Sequence, residues 1–142
     1  MGLFDAFKGS NEVTLSKEEA VAGLLLIAVA ADGVVEPDEM RVLMGSALRI
    51  KALARSNPEN LFNAVGKQVK KFGMEKVAVA ACAKVDADQK KGLFLHFLDI
   101  LLADGSIAKE EEALAVAVQN ALGLDDSFVK TALEILGQKN KL

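Results

Sequence analysis

Apolar residues recur along the chain at intervals of three and four, and nowhere do Val, Ile or Thr alternate with polar residues over a strand's length. Ala, Leu, Glu and Lys carry the pattern, so the expected fold is all-α. Start and stop signals divide it into about seven helices. Residues 2–8 make an amphipathic turn or two presenting Leu3, Phe4 and Phe7. Ser16-Lys17-Glu18-Glu19 has the form of a capping box and opens a helix ending near Ala31. Glu36-Pro37 starts a second helix, with proline preorganised for the first position. It runs to about Ile50 and is expected to bury Met40, Leu43, Met44, Ala47 and Leu48. Asn57-Pro58 repeats the signal for a helix through about Lys71, and after Gly73 a short one spans Met74 to Ala83. Asp86 or Asp88 caps a long helix to about Ala103, carrying Leu93, Phe94, Phe97, Leu98 and Leu101. Another covers about Lys109 to Leu122 and stops at Gly123; Asp125 caps the last, which ends near Gly137 before a frayed tail over 138–142.

One stretch occurs twice. Ile27-Ala28-Val29-Ala30-Ala31-Asp32-Gly33-Val34-Val35-Glu36-Pro37-Asp38-Glu39 returns as Asp99-Ile100-Leu101-Leu102-Ala103-Asp104-Gly105-Ser106-Ile107-Ala108-Lys109-Glu110-Glu111. In register, Asp32 meets Asp104, Gly33 meets Gly105, Val35 meets Ile107 and Glu39 meets Glu111. Each copy is an apolar helix, an Ala-Asp-Gly turn with one aliphatic plug, and an acidic helix start. Two related helical hairpins imply a compact bundle with an internal pseudo-two-fold relation, an internal duplication and not an extended solenoid. The domain plan is therefore a single unit over 1–142: an N-terminal arm (1–12), a first hairpin (15–55), connecting helices (57–84), a second hairpin (86–137) and the tail.

The spacing within each copy matches the second half of an EF-hand loop, with Asp32 at position 5, Gly33 at 6, Val35 at 8 and Glu39 at 12. Asp104, Gly105, Ile107 and Glu111 fit equally well. Positions 1 and 3, however, would be Ala28 and Ala30, or Ile100 and Leu102, which offer no side-chain oxygen. Neither copy is a complete calcium loop. What remains is a pair of carboxylates per copy, with Glu36, Asp38 and Glu110 beside them, suited to a hard divalent cation if the halves approach one another. The competing explanation is architectural. A helix ending at Asp-Gly needs the glycine for its backbone, the aspartate accepts turn amides, and acids favour helix N-termini.

Composition narrows the field further. The 142 residues are 51% apolar and 26% charged, which suits one folded domain. A net charge of −3 gives no basic footprint for nucleic acid. Cys82 is the only cysteine, so no disulfide framework forms within the chain; it reads as a small buried hydrophobe in a reducing compartment. Mean hydropathy is high, +0.26, which raises the prospect of a homodimer through a leftover apolar face. Yet the longest apolar run, Ala20 to Ala31, is 12 residues, short of the roughly 20 that span a bilayer. Met1 to Asn11 lacks the basic start and apolar core of a signal peptide, and Ala6 stands where a myristoylation motif needs Ser or Thr. The expected location is cytoplasmic. His96, eight residues or about 12 Å before Asp104 along a helix, cannot share a metal with it. Arg49, Lys51, Arg55, Lys67, Lys70, Lys71 and Lys76 concentrate positive charge in the middle third, as a solvated face or as a surface for an acidic partner or anionic membrane. No nucleophile has a base in pattern and no phosphate loop occurs, so no enzyme is expected.

Ala30-Ala31-Asp32-Gly33…Glu39 and Leu102-Ala103-Asp104-Gly105…Glu111 resemble the TerB family, named for a tellurite-resistance protein, and also the TerB-like domains of membrane-associated co-chaperones. The opening Met1-Gly2-Leu3-Phe4-Asp5 is similar as well. The resemblance implies a compact fold of about seven helices with internal pseudo-symmetry. It implies a bacterial, non-catalytic stress-resistance module that binds a divalent cation (Ca²⁺, Mg²⁺, Mn²⁺ or Zn²⁺) and docks on other proteins. A TerC-like membrane protein at the inner face of the membrane is the implied partner. The metal candidates are Asp32, Glu36, Glu39, Asp104, Glu110 and Glu111, with Gly33 and Gly105 as turn glycines. Ala108 departs from the first copy's Glu36, leaving the second half-site poorer in ligands, and Ser56 to Lys84 carries no family motif. The alternative is a metal-independent interaction module whose Asp-Gly turns are purely structural.

Overall fold

The computed structural model describes residues 12–31, 33, 35–103, 105 and 107–141. The amphipathic turn expected over 2–8 lies outside these residues, as do Asp32 and Asp104.

Helix α1, Lys17–Ala30, is apolar on every side, and all ten residues from Ala20 to Val29 are buried. Such a helix belongs at the centre of a bundle. Its start is the expected capping box: Ser16 Oγ accepts from the Glu19 N–H at 3.1 Å and Glu19 Oε1 from the Ser16 N–H at 2.8 Å. Around it pack α3 (Pro58–Phe72), α4 (Met74–Lys84) and α5 (Lys90–Leu101). At Gly23 the approach to α3 is tight, and an added Cβ would stand 3.3 Å from Val65 Cγ1. Phe94 and Phe97 of α5 fill the middle of the core, their ring centroids 6.2 Å apart.

Helix α2, Pro37–Arg49, sits at the rim and buries only Leu43 and Ala47. Leu48, expected in the core, is instead 70% exposed. It lies five positions on from Leu43, about 140° round the helix, and therefore on the outward face. A 3₁₀ turn at Lys51–Leu53, not anticipated from the pattern, carries Leu53 into the core instead.

The second hairpin differs from expectation at its ends. Neither Asp86 nor Asp88 caps α5 through its side chain; a 3₁₀ turn at Ala87–Gln89 precedes the helix, and Asp86 pairs with Lys17 at 2.8 Å. That hydrogen bond and charge raise the Lys17 pKa. Helix α6 spans Lys109–Leu122 and closes at Gly123 with φ 69°, as its glycine signals. Helix α7, Asp126–Lys139, starts where Asp125 accepts from the Phe128 N–H at 2.8 Å, a bond that lowers the Asp125 pKa. It runs past Gly137 because Lys139 and Asn140 reach Asp99 of α5 at 2.7 and 3.3 Å, tying down a tail expected to fray.

Among the described residues there are seven α-helices and no strand. No helix among them is long and apolar enough to cross a membrane.

Candidate functional site

Among the described residues, the two copies of the repeat share a turn bond and a helix-start bond. The Gly33 N–H donates to the Ala30 carbonyl at 2.9 Å, and the Gly105 N–H to the Leu102 carbonyl at 3.0 Å. Both glycines have positive φ, 95° and 84°, a conformation that side-chain-bearing residues avoid. Glu39 Oε1 accepts from the Glu36 N–H at 3.2 Å, and Glu111 Oε1 from the Ala108 N–H at 3.1 Å. In each copy the glutamate thus satisfies an amide that the helix leaves without an internal partner. Ala28 and Ala30, the places where a full EF-hand would carry ligands, lie within α1.

Because α1 and α5 pack directly on each other, residues flanking the two turns come to line one space. Ala28, Val29, Glu39, Ile100, Leu101, Ala103 and Glu111 line a single cleft of about 130 Å³. Its walls are register partners: Ala28 with Ile100, Val29 with Leu101, Glu39 with Glu111. The cleft is large enough for a few water molecules, each of which occupies roughly 30 Å³. Each glutamate has one oxygen engaged at its helix cap and keeps Oε2 and further lone pairs for a ligand. The positive ends of α2 and α6 offset part of the charge.

The remaining candidates are placed differently. Glu110 lines another groove, between α4 and α6, beside Lys76 and Leu114. Glu36 is exposed at the N-cap of α2. In the chain, Asp32 directly precedes Gly33, and Asp104 directly follows the cleft-lining Ala103. Among the described residues no group of three or more His, Cys, Asp or Glu is placed to hold a metal ion; Glu39 and Glu111 are the two carboxylates that line the cleft.

A wider groove of about 320 Å³ adjoins the cleft, sharing Val29, Glu39, Ile100 and Ala103 with it and adding Asp38, Val42 and Ser46. The pattern of α2 did not single out Val42. Its exposure follows from where α2 sits at the rim, which periodicity within one helix does not encode.

Elsewhere, His96 is exposed on α5 beside Val21 and Leu93. Cys82 is buried, and burial pushes its thiol up to about 11, leaving it neutral and unreactive near pH 7. Arg49, Lys51, Arg55, Lys67, Lys70, Lys71 and Lys76 are all exposed.

No curated protein and no solved structure matches the chain. A family model described as "Tellurite resistance protein TerB" matches residues 18–133, from the first turn of α1 into α7 and across both acidic turns. With most of its length covered, this all-α chain belongs to the TerB family of tellurite resistance proteins.

Proposed function

We propose that this TerB-family chain is a non-catalytic module that holds a divalent cation between its two duplicated turns. Glu39 and Glu111 are the ligands brought to the cleft, and Asp32 and Asp104 are the further donors. The observation that carries this reading is that one glutamate from each copy lines the same small cleft, at equivalent positions of the repeat. Oxygen donors of this kind favour Mg²⁺, Mn²⁺ or Ca²⁺ over softer ions. Carboxylates from both hairpins on one ion would cross-link the halves of the bundle, so the cation is expected to stabilise the fold as well as to be sensed by it.

One observation favours the second reading, a metal-independent interaction module. Both glutamates already have a structural task, since each accepts an amide of its own helix start. Glutamine performs that capping task without the charge. The two readings therefore separate on Glu39→Gln and Glu111→Gln. Calorimetric titration of metal-stripped protein with Mg²⁺, Mn²⁺, Ca²⁺ and Zn²⁺ is expected to give a saturable isotherm for at least one ion. Each single substitution is expected to weaken binding by about ten-fold or more, with the unfolding midpoint of the metal-free protein unchanged. Absence of binding and of thermal stabilisation at millimolar metal would leave the turns as architecture.

A further inference from the structure

Helix α2 is under-used by its own bundle. Of its thirteen residues only Leu43 and Ala47 are buried, while Val42 stands 70% exposed. Between α2 and the end of α5 runs the 320 Å³ groove, with Val42, Ile100 and Ala103 as its apolar surfaces. Asp38 and Glu39 border it, and Glu111 lines the adjoining cleft. Among the described residues no lysine or arginine lines either space; Arg41 is turned to solvent and paired with Asp38 at 3.6 Å. An aliphatic trough whose charged lining, among the described residues, is Asp38 and Glu39 is complementary to one kind of surface, aliphatic side chains flanked by lysine or arginine.

We propose that the α2–α5 groove is a docking site for a cationic amphipathic helix of a partner protein. Aliphatic anchors spaced i, i+3 and i+4 lie against Val42 and Ile100, and the cationic flank faces Asp38, Glu39 and Glu111. Since Glu39 belongs to both the groove and the cleft, a cation held at the cleft neutralises part of the border that attracts the helix. Docking and cation binding then oppose each other, and by linkage each weakens the other to the same extent. This antagonism rests on the metal reading above; the docking itself does not.

The test uses a synthetic leucine–lysine amphipathic peptide and its leucine–glutamate counterpart, added to the metal-stripped full chain and followed by backbone amide NMR. The lysine peptide is expected to give saturable shifts converging on Val42, Ser46, Ile100 and Ala103, and the glutamate peptide none. Val42→Ser, which changes no charge, is expected to weaken binding about ten-fold through lost apolar contact. Val79→Ser, in the groove between α4 and α6, is expected to leave it unchanged. Shifts spread over every acidic surface, or an affinity indifferent to Val42→Ser, would overturn the proposal. Repeating the titration in saturating Mg²⁺ or Mn²⁺ separates the two ideas. Weaker peptide binding supports the antagonism, whereas unchanged binding at the same residues contradicts the antagonism and leaves docking standing; the metal reading itself fails only if the calorimetric titration shows no bound ion.

Discussion

Glu39 and Glu111 each answer two requirements, a helix cap within their own copy and a wall of the cleft between copies. Gly33 and Gly105 answer only one. Each has positive φ, and no atom stands within 4 Å of where a Cβ would be, so the whole cost of replacing them is backbone strain. Gly33→Ala and Gly105→Ala are accordingly expected to destabilise by about 1–2 kcal/mol each. The two values should agree closely, because the turns have the same hydrogen bonds. Urea unfolding of the single variants checks both the size and the equality. The glycine role was legible in the sequence, because a glycine after an apolar helix marks a local backbone event; the acids near each helix start were read there only by their charge, and their capping bonds are a finding of the structure. Ala108 shows what such local events require: it replaces Glu36 without disturbing the turn, since the bond to Glu111 uses only its amide.

Local signals also located the helices, and where they misplaced an end the reason lies in contacts distant in sequence. The tail beyond Gly137 reads as frayed, yet Asp99, forty positions from Lys139, holds it through a 2.7 Å ion pair. Asp86 has the look of an N-cap but is drawn to Lys17 instead, at 2.8 Å. Periodicity put Leu48 in the core because α2 was assumed to be covered along its whole apolar arc, whereas the bundle covers only the strip around Leu43 and Ala47. The central helix is the opposite case. Its apolar run has no polar face at all, and at Gly23 it lies tight against Val65 of α3. Gly23→Leu is expected to force these helices apart and to cost about 1–3 kcal/mol or more through overpacking, measurable as a lowered unfolding midpoint.

At the scale of the whole molecule, the duplication becomes geometry. Repetition in the chain announced two similar hairpins, and their similarity is visible in every paired bond of the turns. That α1 and α5 pack together, bringing Glu39 and Glu111 to one cleft, is a property of the assembled bundle. So is the separation of Glu110 from Glu111: neighbours in sequence, they point to different grooves because adjacent helical positions lie about 100° apart. The fold thus divides the acidic run between two spaces. The central claim is that the two copies make one site between them. Paramagnetic broadening of backbone amides by substoichiometric Mn²⁺ tests this most directly. The account predicts that Gly33, Glu39, Gly105 and Glu111 broaden together at the same Mn²⁺ concentration, and that either Glu39→Gln or Glu111→Gln alone relieves the broadening at both turns. Broadening confined to one turn, or distributed over all exposed carboxylates and insensitive to both substitutions, would contradict it.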